Sequence, residues 1–159
     1  GFLIAAVGLS EDSSYWIVLA AVIPMAMGMA FIMPPTTNAI VSALPQDKAG
    51  VASAVNDTTR EVGGAVGIAL LGTLVTISYQ SGIGDAAAGL PPELANIAED
   101  SIGGAAQVAS RLDPVVAAPL IEAANAAFLD GITVAFGTAA ALGLIMAGTI
   151  SRFSPSDTT

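Results

Sequence analysis

Three long runs of uncharged, mostly apolar residues divide the chain. They cover residues 15–43, 62–79 and 131–150 and are 29, 18 and 20 residues long. A helix needs about 20 apolar residues to cross a bilayer core that is about 30 Å thick. The pattern therefore predicts three transmembrane helices, which we place at residues 15–43, 51–79 and 128–150.

The first nine residues are also apolar, but they differ from the three long runs in length. As a helix they rise only about 14 Å, which is too short to cross a bilayer. They also lack the basic start of a secretory signal peptide. We interpret residues 1–9 as the end of a truncated transmembrane helix, and we expect the chain to be the C-terminal part of a longer protein.

The polar segments between the runs indicate how the helices are oriented. Residues 44–50 contain Lys48, and Arg152 follows the last run directly. If the spans alternate, both basic residues lie on one side, which the positive-inside rule places in the cytoplasm. This predicts a cytoplasmic loop at residues 44–50, an extracytoplasmic loop at 80–125 that holds six acids and one arginine, and a cytoplasmic tail at 151–159.

Composition supports a membrane protein and excludes several classes of chemistry. The chain is 54% hydrophobic and 11% charged, whereas a soluble domain has about 25% charged residues. We therefore predict an all-α, polytopic membrane fold with the lipid bilayer as its surroundings. The chain has no Cys and no His, which excludes thiol catalysis, disulfides and the usual zinc sites. Its net charge of −9 argues against nucleic acid as a partner, and we expect neither a cofactor nor enzymatic activity.

A cluster of charges stands at the start of the second predicted helix. Asp57, Arg60 and Glu61 precede a stretch that is uncharged until Asp85. An arginine at the centre of a membrane helix costs roughly 2.5–3.5 kcal/mol, and less near its edge. Arg60 could therefore reach the membrane surface, or it could pair with Asp57, three residues away, or with Glu61, which is adjacent and points elsewhere. A structural anchor and a role in gating or coupling both remain open. We carry these three residues forward as gating or coupling candidates.

Closely spaced glycines follow these charges. Gly63 and Gly67 form a G-x-x-x-G pair, and Gly64 lies between them. In membranes such small residues allow the backbones of two helices to approach closely. The three glycines are therefore candidates for a helix-packing motif, along which helices could also slide during a transport cycle.

Prolines and asparagines mark further candidate positions. Pro24 lies in the middle of the first long run and predicts a kink, and Pro34 and Pro35 predict a helix break near its end. Broken helices at membrane depth are tolerated where the freed groups find partners or line a cavity. Asn38 and Asn56 are therefore candidates to line a cavity. The simpler interpretation is that the double proline marks a helix end near the cytoplasm.

Four methionines lie on the first long run, at positions 25, 27, 29 and 33. Methionine is flexible and fills irregular apolar gaps, and it is also frequent at surfaces that bind varied ligands. Apolar packing and the lining of a pocket for hydrophobic ligands both remain open.

One long stretch resembles a known transporter family. Residues 28–74, GMAFIMPPTTNAIVSALPQDKAGVASAVNDTTREVGGAVGIALLGTL, resemble the last part of drug:proton antiporters of the major facilitator superfamily. They are most similar to the fourteen-helix EmrB/QacA-type branch, and the later acidic loop and final helix also fit that branch. The run of Arg60, Gly63, Gly64 and Gly67 is similar to the antiporter motif of helix five, but it lacks the Gly-Pro pair of that motif.

The resemblance implies a location and an activity. The full spans would be helices twelve to fourteen of a multi-pass protein of the plasma (inner) membrane, with a cytoplasmic C-terminus. The proton would be the coupling ion, and a small lipophilic, often cationic compound would be exported. The missing N-terminal transporter helices would be required partners, since the segment alone should not transport. The alternatives are a transporter of a defined metabolite or lipid, and a standalone membrane anchor or assembly protein.

Overall fold

The described chain is built of helices. The computed structural model describes residues 1–10 and 12–153. Its α-helices are α1 Phe2–Gly8, α2 Tyr15–Ser42, α3 Ala49–Ala87, α4 Pro92–Asp100, α5 Ile102–Ala109 and α6 Pro114–Phe153, with one 3-10 turn at Gln46–Lys48. Within the described range, α2, α3 and α6 are long and apolar enough to cross a membrane. The predicted all-α, polytopic membrane fold is thereby confirmed.

The segment predicted as a long acidic loop is mostly helical. Helix α3 continues eight residues past Tyr79 to Ala87, and α6 begins at Pro114. At 39 residues, α3 is about 58 Å long, against a bilayer core of about 30 Å. The helix is therefore longer than one crossing of the core requires, and α4 and α5 pack against the α3–α6 pair. The acids of residues 80–125 led to the prediction of a loop. In the structure they lie mainly on the exposed faces of helices, while small apolar residues face inward.

Helix α2 does not break at its prolines. It runs from Tyr15 to Ser42 with Pro24, Pro34 and Pro35 inside it, so the predicted break at the double proline is not observed. A proline removes one backbone hydrogen bond, but the other backbone groups of a membrane helix have no water with which to bond instead. The Thr36 hydroxyl also donates to the carbonyl of Ile32, at 2.7 Å.

Helices α3 and α6 pack antiparallel, and glycines mark their closest approach. A Cβ on Gly82 would lie 2.7 Å from the Cβ of Ala127, and a Cβ on Gly131 would lie 2.9 Å from the carbonyl oxygen of Val75. Because the residue number falls on α6 as it rises on α3, the start of α3 and the end of α6 lie at the same end of the pair.

The hydrophobic core cluster of the described residues lies at the other end, where α4 and α5 cover the ends of α3 and α6. We term this region, residues 79–127, the outer module. The residues of its buried hydrophobic cluster are Tyr79, Ile83, Ala98, Ala105, Val108, Ala109, Leu120, Ala124 and Ala127. The Tyr79 hydroxyl donates a hydrogen bond to the carbonyl of Ala98, at 2.8 Å, and so ties α3 to α4. The Ser101 side chain caps α5 by accepting from the backbone N–H of Gly104, at 3.1 Å.

Candidate functional site

An open cleft lies between α2 and α3, next to the first turn of α1. Its volume is about 920 Å³, and its lining residues are Phe2, Met25, Gly28, Met29, Ile32, Met33, Asp57, Arg60 and Glu61. We term it the α2–α3 cleft. Helix α2 contributes an apolar, sulfur-rich wall, and α3 contributes the charged wall.

Helical periodicity explains which residues reach the cleft. Asp57, Arg60 and Glu61 are spaced three and four residues apart, so α3 presents them on one side. The structure thus brings together all three gating or coupling candidates. Of the methionines, those at 25, 29 and 33 repeat every four residues and line the cleft, whereas Met27 does not.

Contacts of the charged wall connect α3 to α2. The guanidinium Nη2 of Arg60 donates to the sulfur of Met33, at 3.7 Å, which shows that these two residues lie level in the α2–α3 hairpin. The sequence had suggested that Arg60 pairs with the Asp57 carboxylate. Among the described residues, its side chain contacts the Met33 sulfur instead. All three charged side chains are exposed, and their formal charges sum to −1.

Asn56 directly precedes Asp57 on α3 and is buried. It is 6% exposed, and its Nδ2 donates to the Asp57 carboxylate, at 3.5 Å. Its Oδ1 has no hydrogen-bond partner among residues 1–10 and 12–153. An unpartnered buried carbonyl costs free energy, so this group calls for an explanation.

The other positions predicted to break a helix or line a cavity lie elsewhere. Pro24, Pro34, Pro35 and Asn38 are exposed on α2 and are absent from the lining of the cleft. Asn56 itself touches a cleft residue without lining the cleft. That these residues line a cavity stays a prediction, and the α2–α3 cleft is not that cavity.

The predicted glycine motif faces open space in the described chain. A Cβ added to Gly63, Gly64 or Gly67 would meet nothing within 4 Å. The helix crossing that the structure does contain uses Gly82 and Gly131 instead. That the glycines at 63–67 pack against a helix stays a prediction, and it concerns a helix outside this chain.

Sequence reasoning missed the residues that hold α3, α4 and α6 together. Tyr79 is consistent with an interfacial aromatic at a helix end, but it is 3% exposed and anchors the outer module. The helix-spaced apolar residues that follow it, Ile83 and Ala87, are both fully buried. That spacing was the available sign that α3 continues.

The cleft has room for an apolar body with a polar edge. Its walls offer thioether, aliphatic and aromatic groups beside two carboxylates and one guanidinium. Among the described residues, no group of His, Cys, Asp and Glu side chains could hold a metal ion. This chemistry suits the seating of a helix or a lipophilic molecule.

Known proteins of related sequence are efflux and resistance proteins. The chain is 39% identical to the multidrug efflux pump LfrA of Mycolicibacterium smegmatis over 133 residues, which are 84% of this chain and 26% of the pump. It is 35% identical to the tetracenomycin C resistance and export protein of Streptomyces glaucescens over 145 residues, which are 85% of this chain and 25% of that protein. It is 34% identical to the methyl viologen resistance protein SmvA of Salmonella typhimurium over 112 residues, which are 70% of this chain and 22% of that protein.

The chain is related to drug-efflux transporters of the major facilitator superfamily. It spans about a quarter of the length of the curated relatives it matches. No protein-family model matches it, and no solved structure matches it. The resemblance to efflux proteins of this superfamily is thus confirmed by proteins that match most of the chain.

Proposed function

We propose that this chain forms the last helices of a proton-driven drug exporter of the fourteen-helix EmrB/QacA-type branch. The exporter lies in the plasma (inner) membrane with its C-terminus in the cytoplasm, and it exports lipophilic, often cationic compounds. Kinship to a multidrug efflux pump, together with three membrane-length helices, supports this proposal. The N-terminal helices of the transporter are the partners that complete it.

The contact between Arg60 and Met33 carries the mechanistic part of the proposal. It joins α3 to α2 through two residues that both line the cleft. Arg60 lies eleven residues after the first residue of α3, a rise of about 17 Å. It precedes the uncharged run that begins at Val62 by two residues, so we place it near the edge of the bilayer core, where an arginine costs less than at the centre.

In this mechanism the charged wall acts as a gate. Asp57, Arg60 and Glu61 hold α3 against its neighbours in one state of the transport cycle. Rocking of the helices separates Arg60 from α2 and opens the cleft. The coupling proton and the substrate drive this change through their different affinities for the two states.

Efflux by the full-length transporter tests the gate. We expect Arg60→Ala to lower efflux strongly at unchanged expression, and Arg60→Lys to restore part of it, because lysine keeps the charge but lacks the planar guanidinium. Arg152→Ala is the matched control, since this arginine is exposed near the end of α6 and does not line the cleft. The gate is refuted if Arg60→Ala and the control both transport like the unmodified protein at equal amounts in the membrane.

A further inference from the structure

The α2–α3 cleft is charged at one end and apolar at the other. The contact between Arg60 and Met33 sets the level of the charged end. Because α2 and α3 are the two arms of a hairpin and run antiparallel, the next two turns of α3 lie level with Met29 and Met25. Those turns belong to the uncharged run of α3. The charges of the lining are therefore confined to one end of the cleft.

The long axis of the cleft follows the direction in which a membrane lipid lies. Arg60 lies near the edge of the bilayer core, and Met25 lies two helical turns beyond Met33, about 12 Å along α2. The apolar end therefore reaches into the hydrocarbon region. Phe2 lines this end beside Met25, since a Cβ on Gly1 would overlap the Met25 side chain. A phospholipid has its head at the edge and its chains in the core, so lipid and cleft share one orientation.

The apolar wall suits a flexible chain. Met25, Met29 and Met33 repeat every four residues along it, and methionine is an unbranched side chain that adapts to irregular neighbours. Gly28 also lines this wall, and a Cβ there would meet nothing within 4 Å. The wall thus leaves space beside α2 that an acyl chain can fill. The cleft volume of about 920 Å³ lies within the range of about 300–1,000 Å³ found for small-molecule sites.

The charged end complements a head group that carries both signs of charge. The guanidinium of Arg60 has several N–H donors, and among the described residues it contacts the Met33 sulfur, a weak acceptor, at 3.7 Å. A phosphate group offers stronger acceptors whose geometry matches the planar guanidinium. Asp57 and Glu61 line the same end, so an ammonium group beside that phosphate has two carboxylates within the cleft.

Simpler occupants leave part of the charged end unmatched. A lipophilic cation satisfies the carboxylates but places a second positive charge beside Arg60. An anionic lipid without an amine adds negative charge to a wall whose formal charge is already −1. A choline head carries both charges, but its nitrogen has no N–H to donate. The combination therefore favours a head with a phosphate and a primary ammonium group.

We propose that the α2–α3 cleft binds a phospholipid whose head carries a phosphate and a primary ammonium group. The phosphate accepts from Arg60, the ammonium donates to Asp57 and Glu61, and one acyl chain lies along the methionines. The phosphate then competes with Met33 for Arg60, so the bound lipid favours the state in which α3 is released from α2. This regulatory effect rests on the proposed gate, whereas lipid binding itself does not.

Photolabelling of the full-length transporter in lipid nanodiscs tests the site. The probes are a phosphatidylethanolamine and a phosphatidylcholine that carry the same diazirine-bearing acyl chain. Each is added as a trace to nanodiscs of unlabelled phosphatidylcholine, and labelled peptides are mapped by mass spectrometry. We expect the ethanolamine probe to label α2 between Met25 and Met33 about tenfold more than the choline probe, because a hydrogen bond to a charged group supplies about this factor.

Substitutions at the charged end separate the two parts of the head. Arg60→Ala should lower labelling by both probes, whereas Glu61→Gln should mainly reduce the preference for the ethanolamine probe. Asp47→Asn is the matched control, because this exposed carboxylate lies in the 3-10 turn before α3 and does not line the cleft. It should leave labelling by both probes unchanged. The melting temperature of each variant shows that it is folded.

Three results would overturn the proposal. They are equal labelling of the stretch by both probes, no labelling of it, and labelling that folded Arg60→Ala protein retains in full. Labelling that a lipophilic organic cation displaces equally for both probes would also overturn it, and would identify a substrate cavity instead. Because photolabelling needs no transport, the expected labelling in a protein that exports nothing would contradict the proposed function and leave the lipid site standing.

Discussion

Replacing Gly131 by alanine tests the close crossing of α3 and α6. A Cβ at this position would lie 2.9 Å from the Val75 carbonyl oxygen and 3.2 Å from the Val75 Cα. These are backbone atoms, so the two helices must separate to accept the methyl group. Such overpacking costs about 1–3 kcal/mol, while the better helix propensity of alanine returns up to about 1 kcal/mol.

Gly137→Ala supplies the matched control for this substitution. Gly137 lies on the same helix, and a Cβ there would meet nothing within 4 Å. Both variants gain the same helix propensity, so the difference between them isolates the packing cost. We expect Gly131→Ala to be less stable than Gly137→Ala by about 1–3 kcal/mol, seen as a lower melting temperature of the purified full-length transporter in detergent. Equal melting temperatures would refute the close crossing.

Two further substitutions test single polar groups. Tyr79→Phe removes the hydroxyl that bonds the buried Ala98 carbonyl and should destabilise the outer module by about 1–3 kcal/mol. Faster hydrogen exchange in α4 would show this, with the exposed Tyr15→Phe as control, and unchanged exchange would count against the anchor. Asn56→Leu removes a buried carbonyl that has no partner among the described residues, so the melting temperature should hold or rise, whereas the exposed Asn38→Leu should change little. A clear loss of stability in Asn56→Leu would show that the amide has a partner in the whole transporter.

The sequence predicted those structural features that depend on a local property of the chain, such as the length of an uncharged run. Three uncharged runs identified α2, α3 and α6, since length and polarity alone decide whether a helix crosses a membrane. The spacing of three residues indicated that Asp57 and Arg60 lie near each other, but Glu61, which is adjacent to Arg60, was expected to point elsewhere, whereas all three line the cleft. The methionines at 25, 27, 29 and 33 were considered together for apolar packing or pocket lining, and the four-residue repeat of Met25, Met29 and Met33 is what separates them from Met27 in the structure.

Contacts between residues that are far apart in the sequence could not be predicted from local patterns. The G-x-x-x-G spacing at Gly63 and Gly67 shows that a close approach is possible but not which helix provides it. The approach that the structure contains is at Gly82 and Gly131, which lie in different helices and share no local motif. The proline rule likewise overestimated the effect of Pro34, because the rest of a membrane helix keeps its backbone bonds.

The central claim is coupled export, and everted membrane vesicles test it most directly. Vesicles that contain the full-length transporter are energised until a pH-sensitive dye reports an acidic interior, and a lipophilic organic cation is then added. The account predicts that the pH gradient partly collapses, because protons leave in exchange for substrate, and that Arg60→Ala vesicles respond much less. The account would be contradicted if no drug in a panel of cationic and neutral lipophilic compounds changed the pH gradient. The vesicles must first be shown to contain folded transporter.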